Sequence, residues 1–495
     1  MPETKSDPKP ETEFRPEARN PRGLQDRRAR DLATERAILT AVSRVYERYG
    51  FEHLETPAFE FADALGKFLP DSDRPNEGVF ALRDDDEQWI ALRYDLTAPL
   101  ARFAAQTWET LPKPFRRYAF GTVWRNEKPG PGRYREFIQC DADTVGSDRP
   151  EADAEIVAMA VEGLEAAGVP RGGAVLKLNN RKLLNGLLTK AGVETNTQKL
   201  IVLRAVDKLD RLGAEGVRAL LGKGRVDESG DFTKGAELGT PAVDAVMAFL
   251  SAGGDTRAAT LDKLSPVVGG TPEGDEGLNE LLLIDAALKG MGISEQQARF
   301  DPAVVRGLEY YTGAVFEAEI LQAGPDGEPL KLGSVGGGGR YDDLVARFTG
   351  ERTPATGFSF GVSRLAVALR QLALGGDRAA RGPVVIIAFD QARMADYFAV
   401  ARELREAGIA AEVYLGRSGM KAQMKYADRR LSPAAVIIGD DELAAGTVTI
   451  KDLDLGRALA SGLADRATWK EERPGQATLP RDQMVAAVRA IIARS

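Results

Sequence analysis

FRRYAFGTVWRNEKPGPGRYREFIQCDADTVG, residues 115–146, decides the fold. The first arm is rich in aromatic and β-branched residues and runs to Val123–Trp124, as a strand does. The segment NEKPGPG holds two prolines and two glycines and cannot be helical. The return arm alternates, with Tyr134, Glu136 and Ile138 on one face and Arg135, Phe137 and Gln139 on the other. Arg125, Glu127, Arg133, Arg135, Gln139, Asp141 and Asp143 gather on the two arms at the mouth. Arginines beside carboxylates suit a ligand with phosphates at one end and an ammonium at the other, such as a nucleotide plus an amino acid. They also suit a surface hairpin laced with salt bridges, and the hairpin alone leaves both readings open.

Three further stretches stand out. VRGLEYYTGAVFE (305–317) places an arginine and a glycine ahead of two adjacent tyrosines at a strand start. SVGGGGRYDDL (334–344) sets four glycines before Arg340, just ahead of an expected helix. Such a backbone can approach a ligand or another segment closely, although a flexible turn reads the same way. In TGFSFGVSRLAVAL (356–369), Phe358 and Phe360 share one strand face, and Gly361 turns the chain into a helix starting near Arg364. The N-terminus of that helix favours anions, and Arg364 adds a full charge. Earlier, Ile38, Leu39, Val42, Val45 and Tyr46 recur at helical spacing over 31–49, ahead of GFEHLETPAFE (50–60), where Pro57 must lie at a strand start or edge.

At 495 residues the chain has room for two to four domains. Its 43% hydrophobic and 28% charged content is that of a globular protein, and no apolar run is long enough to span a bilayer. The opening MPETKSDPKPETEFRPEARN is rich in proline and acid, so it is neither a signal nor a transit peptide and reads as a disordered tail over 1–21. Cys140 is the sole cysteine, which excludes an intrachain disulfide, fits a reducing cytoplasm and reads as a buried apolar residue. With one histidine, His53, the chain has no histidine to pair with a nucleophile beside the hairpin and no Cys/His metal cluster. The net charge of −8 argues against generic nucleic-acid binding but allows local basic patches. One is RSGMKAQMKYADRR (417–430), with five basic residues against Asp428, which also reads as a solvated helix face. It sits after a linker at 374–382, where strands PVVIIAF, AAEVYLG and AAVIIG alternate with helices and TVTIKDL closes, giving a small α/β domain with a largely parallel core. Between Val193 and Met291 the pattern is helical, with turns at Gly222–Gly224 and Gly253–Gly254.

FGTVWRNE…GRYREFIQCDAD resembles motif 2 of class II aminoacyl-tRNA synthetases in the form used by histidyl-tRNA synthetases. RGLEYYTG and SVGGGGRYDDL resemble the two signature peptides of that family, TGFSFGVSRL its motif 3, and GFEHLETPAFE its motif 1. VYLGRSGMKAQMKYADRR…VIIGDDELAAGTVTIKDL resembles its C-terminal anticodon-binding domain, although the tail past Leu455 departs in length. The resemblance implies an α+β catalytic domain with an antiparallel sheet (class II synthetase-like) over 22–192 and 292–373. It further implies a helical insertion over 193–291 and a C-terminal α/β anticodon-binding domain over 383–495. The implied reaction is ATP-dependent attachment of histidine to tRNA(His) through a histidyl-adenylate, with Mg²⁺ accompanying ATP, no protein-held metal, and a cytoplasmic homodimer.

Roles carried over by that resemblance are as follows. Arg125 holds the α-phosphate, Glu127 faces the adenine amino group, Phe137 stacks on adenine, and Arg133 and Arg364 meet the outer phosphates. Asp95 and Thr97 of RYDLTAPL, with Gln139, bind the α-ammonium of histidine. Asp143 and Tyr311 take the two imidazole nitrogens, Tyr310 lines the same pocket, and Arg306 sits between the carboxylate and the α-phosphate. Arg417, Lys421 and Lys425 meet the tRNA. Many bacterial members carry glutamates at the positions of Asp95 and Asp143, whereas eukaryote-like members share RYDLT and QCDxD. Two other functions remain in view: a histidine-sensing regulatory subunit of ATP phosphoribosyltransferase, which typically lacks the anticodon domain, and a synthetase for another amino acid, which leaves RGLEYYTG unexplained.

Overall fold

The computed structural model describes residues 16–68, 78–130, 134–193, 195–226, 230–305, 310–325, 327–328, 330, 332–374, 381–460 and 475–494. Most of the expected N-terminal tail lies outside the described residues, and 16–21 carry no helix or strand. The chain divides into two compact units, 1–375 and 376–495.

In the first unit, α1 (Ala29–Arg48) turns Ile38, Val42, Val45 and Tyr46 into the core, as their spacing predicts. β1 (Glu52–His53), β2 (Phe59–Phe61), β3 (Ala81–Arg83) and β4 (Trp89–Leu92) lead to α2 (Thr97–Thr107). The hairpin then forms from β5 (Phe115–Trp124) and β6 (Glu136–Val145), paired antiparallel from Phe115↔Val145 to Trp124↔Glu136. After α3 (Pro150–Ala166) come β7 (Ala174–Asn180) and α4 (Arg181–Lys190).

The segment expected to be helical with turns at Gly222–Gly224 and Gly253–Gly254 holds α5 (Asn196–Val206), α6 (Leu209–Leu221), α7 (Thr240–Leu250), α8 (Arg257–Val268) and α9 (Pro272–Gly290). It also holds a hairpin not expected from the sequence, β8 (Gly224–Val226) with β9 (Phe232–Lys234). The strands have three residues each, too short for an alternation to register. Thr195, Thr256 and Thr271 cap α5, α8 and α9, each accepting a backbone N–H with its hydroxyl.

β10 (Ala298–Phe300), β11 (Ala314–Ile320), β12 (Gly336–Arg340), α10 (Ala346–Thr349), β13 (Ala355–Gly361) and α11 (Val362–Gln371) complete the unit. Its main sheet has the order β1-β5-β6-β13-β12-β11-β7-β10. The six central strands are antiparallel, and the outermost pairs, β1/β5 and β7/β10, are parallel. Ile38 and Val42 of α1, Ile156 and Val157 of α3, and Leu365 and Leu369 of α11 cluster with Cys140, Ala142, Phe358 and Phe360 on one face. Alternation sends Gln139, Asp141 and Asp143 to the other face.

The glycine run of 334–344, equally readable as a turn, is a central strand. Gly336 to Gly339 pair with Ala318 to Val315 on one side and with Phe360 to Gly357 on the other. Its last residue, Arg340, is buried and donates to Asp153 and to the carbonyls of Ser147 and Arg149 around the start of α3.

In the second unit, β14 (Val384–Ile387), α12 (Met394–Glu406), β15 (Ala411–Val413), α13 (Met420–Arg429), β16 (Ala434–Ile437), α14 (Asp440–Ala445), β17 (Thr447–Asp452), α15 (Leu453–Ala460), β18 (Gln476–Pro480) and α16 (Met484–Ala493) give the sheet order β15-β14-β16-β17-β18. The expected largely parallel core is in fact mixed. β15, β14 and β16 are parallel, but β17 and β18 run antiparallel. The six-residue α14 ends at left-handed Gly446, a connection too short for a parallel crossover, so β17 returns beside β16 in the opposite sense.

Arg257 ties the insertion to the sheet. It is 1% exposed, and its guanidinium donates to Asp285 Oδ1 of α9 at 2.7 Å, to the Ala298 carbonyl of β10 at 2.7 Å and to the Ile293 carbonyl at 3.2 Å. Loss of one partner from a buried charged network typically costs about 3–5 kcal/mol. Arg257→Ala should therefore lower the urea midpoint of the catalytic unit strongly, whereas Lys234→Ala, which breaks only an exposed pair with Glu237, should leave it in place. Equal midpoints for the two variants would show that Arg257 is not a fastening point.

Candidate active site

Sheet register builds the site in rows. Arg117, Asp143, Gly357 and Gly339 stand side by side across β5, β6, β13 and β12. The next row is Ala119, Asp141, Ser359 and Gly337, and the next Gly121, Gln139 and Gly361. Val123 and Phe137 extend the same face toward the hairpin mouth. Small residues flank Asp141 and Gln139 on both sides, and Asp143 has Gly357 on one side and its partner Arg117 on the other. At Gly357 this is obligatory, because an added Cβ would collide with the Asp143 carboxylate. At Gly339 it would come within 2.9 Å of the Tyr311 ring.

Asp143 is buried, and both its oxygens are engaged. Oδ2 lies 2.9 Å from Arg117 Nη2, and Oδ1 accepts from the Tyr341 hydroxyl. Arg117, wholly buried, also donates from Nη2 to the Leu96 carbonyl at 2.9 Å. Burial pushes the Asp143 carboxyl up, and Arg117 and Tyr341 pull it back. Tyr310 lies 5.5 Å from Tyr341 and edge-on to Tyr311 at 5.2 Å, forming an aromatic wall. Buried polar atoms here without a hydrogen-bond partner among the described residues include Gln139 Oε1, Asp141 Oδ1, the Tyr310 hydroxyl, Arg117 Nε and Nη1, and Asp143 Oδ2, the last ion-paired with Arg117. Unsatisfied buried groups in one place mark a ligand position.

Asp95 stands at the entrance of α2. Its Oδ1 accepts from the backbone N–H groups of Thr97 at 3.1 Å and Ala98 at 2.9 Å. Burial raises its pKa, against those N–H groups and Arg125. Asp95 thus starts the helix as well as facing Tyr310 and Asp143 electrostatically. Arg125 is anchored by its Nε to the Tyr94 carbonyl at 3.1 Å, with its guanidinium carbon 5.2 Å from the centre of the Phe137 ring. Glu127 is exposed, and its carbonyl accepts from Arg135 Nε at 2.9 Å. Arg364, in the first turn of α11, donates to the Ser334 carbonyl at 2.6 Å. Arg133 and Arg306 lie outside the described residues.

The structure therefore assembles Asp95, Gln139, Asp143, Tyr310 and Tyr311 with Arg125 and Phe137 close by. It adds four side chains to which sequence reasoning assigned no role: Arg117, Asp141, Tyr341 and Ser359. Alternation along β5 puts Arg117 on the face of Ala119 and Gly121, but only the strand register shows it opposite Asp143. His53 is stacked between Tyr118 and Phe120, each ring centre 4.9 Å away, on the sheet edge. Cys140 points into the apolar core, where burial raises its thiol pKa and leaves it inert.

On the second unit, α13 buries Gln423 and Ala427. Gln423 bonds both the N–H and the carbonyl of Ala388. Arg417, Lys421, Lys425 and Arg429 are exposed, whereas Arg430 pairs with Glu412. Beside these cations Phe389, Leu415 and Met420 are also exposed.

The profile of the histidyl-tRNA synthetase family matches residues 23–365, and that of an anticodon binding domain matches 383–489. A histidine–tRNA ligase from Caulobacter vibrioides is 74% identical over 486 residues, covering 98% of this chain and 98% of that protein. One from Brucella suis (biovar 1) is 54% identical over 482 residues, covering 96% of each. Among solved structures, histidyl-tRNA synthetase from Nostoc sp. PCC 7120 superposes with a TM-score of 0.73 at 28% identity, covering 96% of this chain and 100% of that one. Identity at this level is sustained through both units, and the chain belongs to the histidyl-tRNA synthetase family.

Proposed function

We propose that this chain activates histidine with ATP and transfers it to tRNA(His). The observation that carries the reading is the buried Asp143 carboxylate, fixed by Arg117 and Tyr341 beneath an aromatic wall, with a platform for a nucleotide one strand-length away at Phe137 and Arg125. Each Asp143 oxygen keeps a lone pair for an imidazole N–H, and Tyr311 serves the second ring nitrogen. Asp95, Thr97 and Gln139 receive the α-ammonium, and Tyr310 closes the pocket. Arg125 takes the α-phosphate, Phe137 stacks on adenine, Glu127 meets its amino group, and Arg133 and Arg364 meet the outer phosphates. Arg306 lies between the histidine carboxylate and the α-phosphate.

A carboxylate oxygen of histidine attacks the α-phosphorus, the bond to the β-phosphate oxygen breaks, and pyrophosphate leaves. A 3′-terminal hydroxyl of the tRNA then attacks the acyl carbon and AMP leaves. The protein supplies alignment and positive charge where negative charge gathers. Mg²⁺ would accompany the triphosphate and neutralise part of its charge.

Arg417, Lys421 and Lys425 hold tRNA phosphates. The catalytic unit pairs with a second copy of itself, for which the exposed Phe59, Phe61 and Phe348 around Pro57 and Ile90 supply an apolar face. Among the described residues no helix is long and apolar enough to cross a membrane, and a lone buried thiol suits a reducing cytoplasm.

Three outcomes are expected. ATP–pyrophosphate exchange should respond to histidine over phenylalanine by roughly 10⁴-fold, because an analogue without ring nitrogens leaves buried polar groups unpaired. Equal stimulation by the two amino acids would remove Asp143 and Tyr311 from ring recognition. Arg306→Ala should slow single-turnover adenylate formation by about 10³-fold while keeping much of the ATP affinity. A near-normal rate would make the residue structural. Replacing Arg417, Lys421 and Lys425 by alanine should lower the slope of log affinity for tRNA against log salt by about 2, at ~0.7 per lost contact to single-stranded phosphate. An unchanged slope would mean that this helix faces something else.

A further inference from the structure

Asp141 is the one buried acid of this sheet face to which none of the roles above is assigned. It is 2% exposed and sits between Gln139 and Asp143 on β6, opposite Ser359 of β13. Gln139 Nε2 donates to the Ser359 hydroxyl at 2.8 Å, and Ser359 stands beside Asp141 in the strand register. The Gln139 amide thus presents its NH₂ to Ser359 and turns its carbonyl elsewhere. Two buried acceptors are then left over, Gln139 Oε1 and Asp141 Oδ1, neither with a donor among the described residues. Adjacent acceptors lacking donors select a group that only donates, and a primary ammonium has three N–H bonds to give.

Resting on the reading of this pocket as the histidine site, we propose that Asp141, oriented by Ser359, receives the α-ammonium of the amino-acid substrate together with Gln139. The charges around it fit. Asp143 on β6 and Asp95 before α2 disfavour a second negative charge here, Arg117 of β5 and Arg93 after β4 favour it, and Tyr46 of α1, held neutral by burial, adds no charge. Arg117 is committed to Asp143, and burial with Asp143 alongside pushes the Asp141 carboxyl up. An incoming cation relieves that burden.

The test compares two ligands that share the imidazole and differ in the ammonium: histidinol and its deamino counterpart, 3-(imidazol-4-yl)propan-1-ol. Dissociation constants are measured by calorimetry on the full chain, and urea midpoints confirm folding. Asp141→Asn keeps the shape and removes the charge. It should weaken histidinol by about 10-fold or more, as for loss of a hydrogen bond to a charged group, and its deamino counterpart by less than about 2-fold. Ser359→Ala should shift the two ligands in the same order by a smaller factor. Equal weakening of both ligands by Asp141→Asn, or unchanged histidinol binding, would overturn the proposal. Failure of the underlying pocket reading has a separate signature: Tyr311→Phe, which should weaken both ligands together through the ring, would then change neither.

Discussion

The ion pair between Arg117 and Asp143 is the constraint on which the rest of the site depends. Two charges held out of water in a sheet carry a desolvation cost of several kcal/mol each, so they persist only where geometry and further hydrogen bonds compensate. Here the compensation comes from the Leu96 carbonyl, which accepts from Arg117, and from Tyr341, which donates to Asp143. Four segments are thereby locked to one another: β5, β6, the end of β12 and the turn before α2. A slip of one residue between β5 and β6 would turn Asp143 into the apolar core and Ala142 out of it.

Around that pair the sheet trades side chains for space. Gly357 must be glycine because the Asp143 carboxylate occupies the position of its Cβ, and Gly339 because a Cβ would crowd the Ala314 carbonyl at 2.6 Å and the Tyr311 ring at 2.9 Å. Glycine in a strand is unfavourable by itself, and here it is offset by two-sided pairing of Gly336–Gly339 and by the Arg340 clamp on α3. The same principle explains the apolar face. Phe358 and Phe360 alternate with Gly357, Ser359 and Gly361, so one strand fills the core and leaves room for ligand on its other side.

The insertion and the second unit follow simpler rules. Threonine caps open three insertion helices, and Arg257 adds a hydrogen bond to β10 beside the shared apolar core. In the second unit a helix with one buried polar residue, Gln423, keeps its cationic side free because its neighbours pair elsewhere, Arg430 with Glu412 and Asp428 with Arg457. Free cations on a rigid helix suit a phosphate backbone better than paired ones.

Much of this was legible in the chain itself. Strand alternation placed Phe137, Gln139, Asp141 and Asp143 on one face, helical spacing placed Ile38, Val42, Val45 and Tyr46 inward, and proline with glycine marked the hairpin tip. These are local properties, set by neighbours within a few residues. The partners of those side chains were not legible, because Arg117 and Asp143, Gln139 and Ser359, or Tyr341 and Asp143 are 26, 220 and 198 positions apart and nothing local relates them. The glycine run shows the same limit: four glycines permit either a turn or a strand, and only the strands on either side select one. The sequence alone determined which residues could carry the chemistry and which way each would face. Tertiary structure decided which acid is paired, which is left without a donor and which direction the amide turns, because hydrogen bonds and desolvation depend on what arrives from elsewhere in the chain.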